Sequence, residues 1–321
     1  MVQMQTFFQT MSDGQEIFVR RWIPSGNIKG IVQLVHGMVE HTARYEQFAQ
    51  FLSANGWVFS AHDQRGHGKT AERDVENKTG DFGFLAKKSG FEHVVNDVRE
   101  IIQKAKADYS GKPIILFGHS FGSFVSQSFI EEYPLDVSAC ILCGTAGPRK
   151  AMIAGGRMLV GLISFFRGMY HRSSFVQKMV FGSYSKLIPD SVTGQEWLSR
   201  DSNVVKAYLD DQLCGFNPTL GFYGDMLYGL QKIHKGTNIK KIDKSLPVLF
   251  IYGTADPVGS YGKTILSLYK IYCKNGMNYV TLKEYDGARH ELLNEINKAE
   301  VEQDILSYID SVYQSNQSGL S

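Results

Sequence analysis

The sequence predicts an α/β protein in which a mainly parallel central sheet carries helices on both faces and a helical cap is inserted into the chain. Three observations predict it. Short apolar runs with the length of buried strands alternate with longer helix-like segments from Gly30 onward. The alternation pauses after Gly144 and resumes near Leu246. Three of the apolar runs are followed at once by loops that carry, in chain order, a serine, an aspartate and a histidine.

The elements follow in order. Residues 5–10 and 16–22 flank Ser12-Asp13-Gly14 and read as a hairpin. Gly30-Ile31-Val32-Gln33-Leu34-Val35 is a strand, followed by a helix near 45–54, a strand at 57–62, a helix at 91–108, a strand at 113–117 and a helix from Ser120. Val137-Ser138-Ala139-Cys140-Ile141-Leu142-Cys143 is another buried strand, in which both cysteines act as small hydrophobes. Residues 246–252 and 279–285 are the last strands, and a helix at 299–314 precedes a frayed tail at 315–319.

The interruption divides the chain into a first sheet part at 1–147, a cap at 148–242 and a second sheet part at 243–321. Within the cap, residues 151–170 carry Leu159, Leu162, Ile163, Phe166 and Met169 in a helix-like stripe. Most of that face is expected to pack on the sheet domain, and part of it to line an acyl channel. Arg157 interrupts the segment, and its continuous apolar stretch falls short of the roughly 18 residues that a membrane span needs. An interfacial approach of the cap to a membrane or micelle surface is compatible with it.

The chemistry concentrates at Gly118-His119-Ser120-Phe121-Gly122, which joins the strand at 113–117 to the next helix. A serine between two glycines on a strand-to-helix turn is a nucleophile elbow. The turn strains the backbone and projects the hydroxyl above the sheet. A serine hydroxyl needs a base, itself oriented by an acid. Asp256 follows the strand at 246–252, and His290, the last histidine in the chain, follows the strand at 279–285. Ligands gather at the carboxyl ends of such strands, so the three residues are expected to meet there. Each alone has a structural reading as a helix cap, a turn or a core histidine. Their coincidence at three strand ends favours a triad. Oxyanion donors are expected from the backbone amides of Phe121, next to the nucleophile, and Met38, after the strand at 30–35.

His36-Gly37-Met38-Val39-Glu40-His41-Thr42-Ala43-Arg44-Tyr45 resembles the HGxGEHxxRY loop of monoacylglycerol lipases and related lysophospholipases, members of the α/β-hydrolase superfamily. Asp63-Gln64-Arg65-Gly66-His67-Gly68 resembles their DxxGHG turn, and Gly118 to Ser123 their GHSMGG elbow. Gly194-Gln195-Glu196-Trp197-Leu198-Ser199-Arg200-Asp201 is similar to the cap of bacterial members. The resemblance spans nearly the whole chain. It implies an α/β-hydrolase fold, with Ser120, Asp256 and His290 as triad and Met38 and Phe121 as oxyanion donors. The substrates it implies are monoacylglycerols or lysophospholipids. Val39 stands where the family usually has glycine, Phe121 replaces methionine and Ser123 replaces the second glycine. Val39 and Phe121 are expected to narrow the pocket mouth.

Composition bounds the alternatives. The 321 residues are 43% hydrophobic and 21% charged, as in ordinary globular proteins, and the net charge is 34 − 32 = +2. That balance gives no footing for a nucleic-acid partner. The first residues lack the basic start and long apolar core of a signal peptide, so a cytoplasmic location is expected. His290-Glu291-Leu292-Leu293-Asn294 begins like the zinc-protease helix but lacks its second histidine, and Gly68-Lys69-Thr70 lacks the earlier glycine of a P-loop. No metal and no cofactor are expected. His119 is read as structural, and Glu40 with Arg44 as a pair organising the oxyanion loop.

The function expected is a serine esterase or lipase acting on small ester or lipid substrates. A short-chain carboxylesterase, an aminopeptidase of the same superfamily and a non-catalytic ligand-binding protein on the same fold are the alternatives.

Overall fold

Eight strands form one sheet in the order β1-β2-β4-β3-β5-β6-β7-β8 in a computed structural model, which describes residues 2–189 and 191–318. In chain order the elements are β1 (Gln3–Thr10), β2 (Glu16–Ile23), β3 (Gly30–Val35), α1 (Glu46–Ala54), β4 (Trp57–His62), α2 (Gly68–Asn77), α3 (Gly90–Asp108), β5 (Ile114–His119), α4 (Phe121–Glu132) and β6 (Ala139–Cys143). Five helices follow: α5 (Lys150–Arg167), α6 (Ser174–Phe181), α7 (Ser202–Asp210), α8 (Leu220–Ile233) and α9 (Gly236–Ile239). The sheet then resumes with β7 (Val248–Gly253), α10 (Lys263–Lys274), β8 (Val280–Tyr285) and α11 (Lys298–Ser318).

β1, β2 and β4 pair antiparallel, and every pair from β4 through β3, β5, β6 and β7 to β8 is parallel. The central strands β3 to β7 are buried along their whole length, which explains why they read as unbroken apolar runs. Their side chains alternate between two cores. Leu116 and Leu142 join Val98, Phe121 and Phe129 on one face, while Phe117 and Ile141 join Phe48, Leu52 and Ile305 on the other. The register pairs Val35 with Gly118, His119 with Cys143 and Gly253 with Tyr285. The carboxyl ends of β3, β5, β7 and β8 therefore lie along one edge, and that edge carries the site.

Three expectations change. The ten-residue α2 was not foreseen; its start is fixed by Asp63, whose carboxylate accepts the Lys69 N–H at 2.8 Å and whose carbonyl accepts the Thr70 hydroxyl. The helix expected to stop at 314 continues to Ser318, where the Ser315 and Ser318 hydroxyls bond back to the carbonyls of Ser311 and Gln314. Gly319, part of the expected tail, lies outside the described residues. The stripe on α5 packs inward only in part, through Ile163 against the core and Leu159 beside the cavity. α5 lies against α8 with Ile153 and Val160 buried, whereas Leu162 is 58% and Phe166 74% exposed. Among the described residues no helix is long and apolar enough to cross a membrane.

Candidate active site

Ser120 stands between β5 and α4 with φ 52° and ψ −120°, a conformation costly for any residue with a Cβ. Its neighbours make the turn feasible. A Cβ on Gly118 would lie 2.6 Å from the Gly122 carbonyl oxygen, and one on Gly122 would lie 2.5 Å from the His36 carbonyl oxygen. Side chains at either position would force β3, β5 and α4 apart. The Ser120 N–H donates to the Cys143 carbonyl at 3.0 Å, tying the turn to β6.

Asp256 and His290 come from the loops after β7 and β8. They meet at 2.9 Å through Oδ2 and Nδ1, both almost fully buried. The other Asp256 oxygen accepts the Val258 N–H at 2.8 Å, which fixes the carboxylate. Burial disfavours the charged imidazolium, but the Asp256 charge and hydrogen bond outweigh it and raise the His290 pKa above its usual range. With Nδ1 held by Asp256, Nε2 is the nitrogen left for chemistry; among the described residues it has no hydrogen-bond partner. Gly144, at φ 58°, leaves room for the ring, since a Cβ there would lie 3.0 Å from His290 Cε1. Ser120 and His290 line the same cavity.

Met38 and Phe121 line that cavity too. Phe121 opens α4, so its N–H has no intrahelical acceptor. Its ring is turned into the core against Phe222 and Phe91, with centroids 5.0 and 6.2 Å away, and forms cavity wall rather than a plug. Val39 adopts φ 52°, unusual for a β-branched residue. Its carbonyl accepts the Gly215 N–H at 3.0 Å and the Tyr208 hydroxyl at 3.2 Å, so the segment between β6 and β7 grips this loop.

Glu40 and Arg44 do pair, at 2.8 Å, and the pairing extends further than the sequence suggested. Glu40 also accepts the Gly37 N–H at 2.5 Å and the Tyr45 hydroxyl at 2.8 Å. Burial alone would raise the Glu40 pKa, but Arg44 and the neighbouring groups pull it down to about 2. Arg44 then grips Glu291 through two 2.6 Å hydrogen bonds. One guanidinium thus links the loop after β3 to the residue beside His290. Sequence reasoning assigned no role to Glu291 or Tyr45; a charged residue directly after the candidate histidine was the available signal.

His119 packs 4.9 Å from the His290 ring, and burial lowers its pKa to about 4, which keeps it neutral beside the base. Among the described residues one group, His41, Asp211 and Cys214, brings metal-ligand atoms together. There His41 is already engaged by Asp211 at 2.8 Å, and burial raises the Cys214 thiol pKa away from the thiolate that a metal needs.

The cavity above Ser120 is about 300 Å³, walled on the apolar side by Phe124, Ile153, Val160, Tyr223, Met226 and Leu230. A serine whose amide is locked to the sheet, an imidazole with its far nitrogen unengaged and two candidate amide donors open into one largely apolar chamber. That arrangement is suited to acyl transfer.

Residues 26–297 match the Hydrolase_4 family, described as serine aminopeptidase, S33. Monoacylglycerol lipase of Mycolicibacterium smegmatis is 27% identical over 305 residues, covering 93% of this chain and 94% of its own. Mouse monoglyceride lipase is 29% identical over 306 residues, covering 94% and 87%. Among solved structures, a thermostable carboxyl esterase from Bacillus coagulans superposes with a TM-score of 0.86 at 26% identity over 97% of this chain and 99% of that one. A yeast monoglyceride lipase superposes at 0.73 and 19% identity, over 96% and 95%, and shares the fold.

Proposed function

The chain belongs to the Hydrolase_4 family of α/β-hydrolases, and from that premise we propose that it is a serine ester hydrolase cleaving monoacylglycerols and related single-chain lipid esters. The observation that carries this reading is the apolar cavity opening on Ser120 beside the His290–Asp256 pair. Monoacylglycerol and monoglyceride lipases among the relatives support the substrate class.

In this reading His290 Nε2 takes the Ser120 proton as Oγ adds to the ester carbonyl. The Met38 and Phe121 amides hold the resulting oxyanion. The imidazolium gives its proton to the departing alcohol, leaving an acyl-serine. Water, deprotonated by the same imidazole, attacks the acyl carbon; Ser120 recovers its proton and the fatty acid leaves. Asp256 keeps the tautomer and stabilises the imidazolium.

Residues 148–242 act as the cap, a reading supported by five helices lying between β6 and β7 outside the sheet. Its outer face exposes Met158, Leu162, Phe165, Phe166 and Phe175, which suits an approach to a membrane or micelle surface. A cytoplasmic location completes the reading; the four free cysteines suit a reducing compartment. The aminopeptidase named in the family description requires an acid to bind a substrate α-amine. Both cavity carboxylates, Glu40 and Glu291, are already engaged by Arg44.

The test is hydrolysis of acetyl, butyryl, octanoyl and palmitoyl esters of one alcohol below aggregation, followed by monolauroylglycerol. Each buried methylene is worth about 0.8 kcal/mol, so kcat/KM should climb toward octanoyl. A maximum at acetyl leaves a short-chain carboxylesterase instead.

A further inference from the structure

Among the described residues that line the cavity there is one lysine or arginine, Arg149. It is the residue preceding α5, at the point where the chain leaves the sheet. Its surroundings differ from those of Arg44 and Arg65. Arg44 and Arg65 each grip carboxylates, whereas Arg149 donates through Nη2 to the Val258 carbonyl at 2.7 Å and to the Ser260 hydroxyl. Among the described residues no carboxylate pairs with it, and its Nε is buried without an acceptor. A guanidinium charge with no carboxylate partner beside an apolar cavity is poorly offset, and an anionic ligand in the cavity offsets it. The α5 N-terminus adds a partial positive charge at the same place.

The position of Arg149 says which half of an ester would meet it. Val258 stands two residues from Asp256 and packs in one cluster with Tyr184 and Trp197. The Trp197 ring lies 5.0 Å from Tyr184 and 5.1 Å from the His290 ring. Arg149 therefore reaches the cavity from the imidazole's side, where the departing alcohol must lie to receive its proton. The cavity's own carboxylates, Glu40 and Glu291, are both held by Arg44, and neither pairs with Arg149.

We propose that Arg149 is an anion subsite for the leaving-group half of the substrate, favouring single-chain esters whose alcohol carries a phosphate over neutral monoacylglycerols. This rests on the ester-hydrolase reading of Ser120 and specifies its headgroup. A guanidinium fork suits phosphate oxygens better than a lysine point charge.

The experiment compares kcat/KM for 1-lauroylglycerol and 1-lauroylglycerol 3-phosphate, below their aggregation limits, in wild type, Arg149→Gln and Arg149→Lys. Wild type should prefer the phosphorylated ester. Arg149→Gln should lower the ratio of the two kcat/KM values by about 10- to 100-fold, mainly through KM, and Arg149→Lys should restore only part of it. Glycerol 3-phosphate should inhibit wild type at lower concentration than the glutamine variant. Inhibition by inorganic phosphate at the same concentration would show that the subsite reads the phosphate alone. An unchanged ratio, with both esters slowed alike, overturns the proposal and leaves Arg149 as a tie between α5 and the loop after β7. A wild type that cleaves the neutral ester but ignores the phosphate overturns the subsite while sparing the hydrolase reading. A wild type that cleaves neither ester removes both.

Discussion

The carboxyl edge of the sheet and the outer face of the cap are built on opposite principles. At the sheet edge each group of the proposed site is held by a specific contact: Ser120 by its turn and by Cys143, Asp256 by Val258, His290 by Asp256, and the loop after β3 by Glu40. On the cap's outer face Phe165 is 82% and Met158 76% exposed, held by little beyond their own helix. Chemistry tolerates no slack in its reacting atoms, whereas a surface that meets lipid needs only apolar area. The catalytic step should therefore be sensitive to single atoms at the edge and nearly indifferent to single side chains on the cap.

The sharpest way to break that contrast is at the nucleophile. Ser120→Ala should lower kcat by roughly 10⁴–10⁶ on every ester, and a fluorophosphonate probe should label wild type but not the variant. Retained activity would dissolve the distinction between edge and cap. Asp256→Asn comes next, with a loss on the order of 10³–10⁴ in kcat through the wrong His290 tautomer and no change in the folded state by circular dichroism. If Asp286→Asn proved the damaging change instead, the acid would have to be reassigned.

The pH profile probes the same edge more gently. His290 acts when neutral, and its pKa is raised, so kcat/KM should fall about tenfold per unit once pH drops below that pKa. The midpoint should lie above the ordinary imidazole value, and Asp256→Asn should move it down. A wild-type midpoint below the ordinary value would contradict the charge pairing. The smallest effect belongs to the cap. Replacing Leu162, Phe165 and Phe166 together by serine should leave hydrolysis of dissolved butyryl ester within about twofold and slow hydrolysis of vesicle-borne monoacylglycerol several-fold. Equal losses on both substrates would mean that this face supports the fold rather than the interface.

The two regions were also unequally legible in the sequence. β5, β7 and β8 announced themselves because strands buried on both faces must be continuously apolar, and their loops had to carry whatever chemistry the edge performs. The Asp256–His290 contact was foreseeable from order alone. α5 misled because apolar residues cover most of its circumference: Met152, Ile153, Met158, Leu159, Val160 and Leu162 spread well beyond one stripe, so periodicity found a helix but not which part of its apolar surface is buried. α2 escaped notice for the opposite reason. Gly68-Lys69-Thr70-Ala71-Glu72-Arg73 has no apolar stripe, and Asp63, outside the helix, fixes its start. The strain at Val39 is invisible in sequence because the cap residues holding its carbonyl, Tyr208 and Gly215, lie about 170 positions away.

The Arg44–Glu291 link has a consequence for how the molecule comes into being. Its partners are separated by 247 positions, and the Asp256–His290 pair belongs to the same late stretch of chain. During synthesis the serine turn and the cap emerge from the ribosome well before the histidine loop, while domains fold from the N-terminus onward. A nascent chain carrying Ser120 and the exposed apolar helices that follow β6 therefore lacks both His290 and the carboxylate that anchors Arg44. The Asp256–His290 pair and the Arg44–Glu291 link can form only after β8 has been laid against β7, so the proposed site is the last part of the molecule to be assembled.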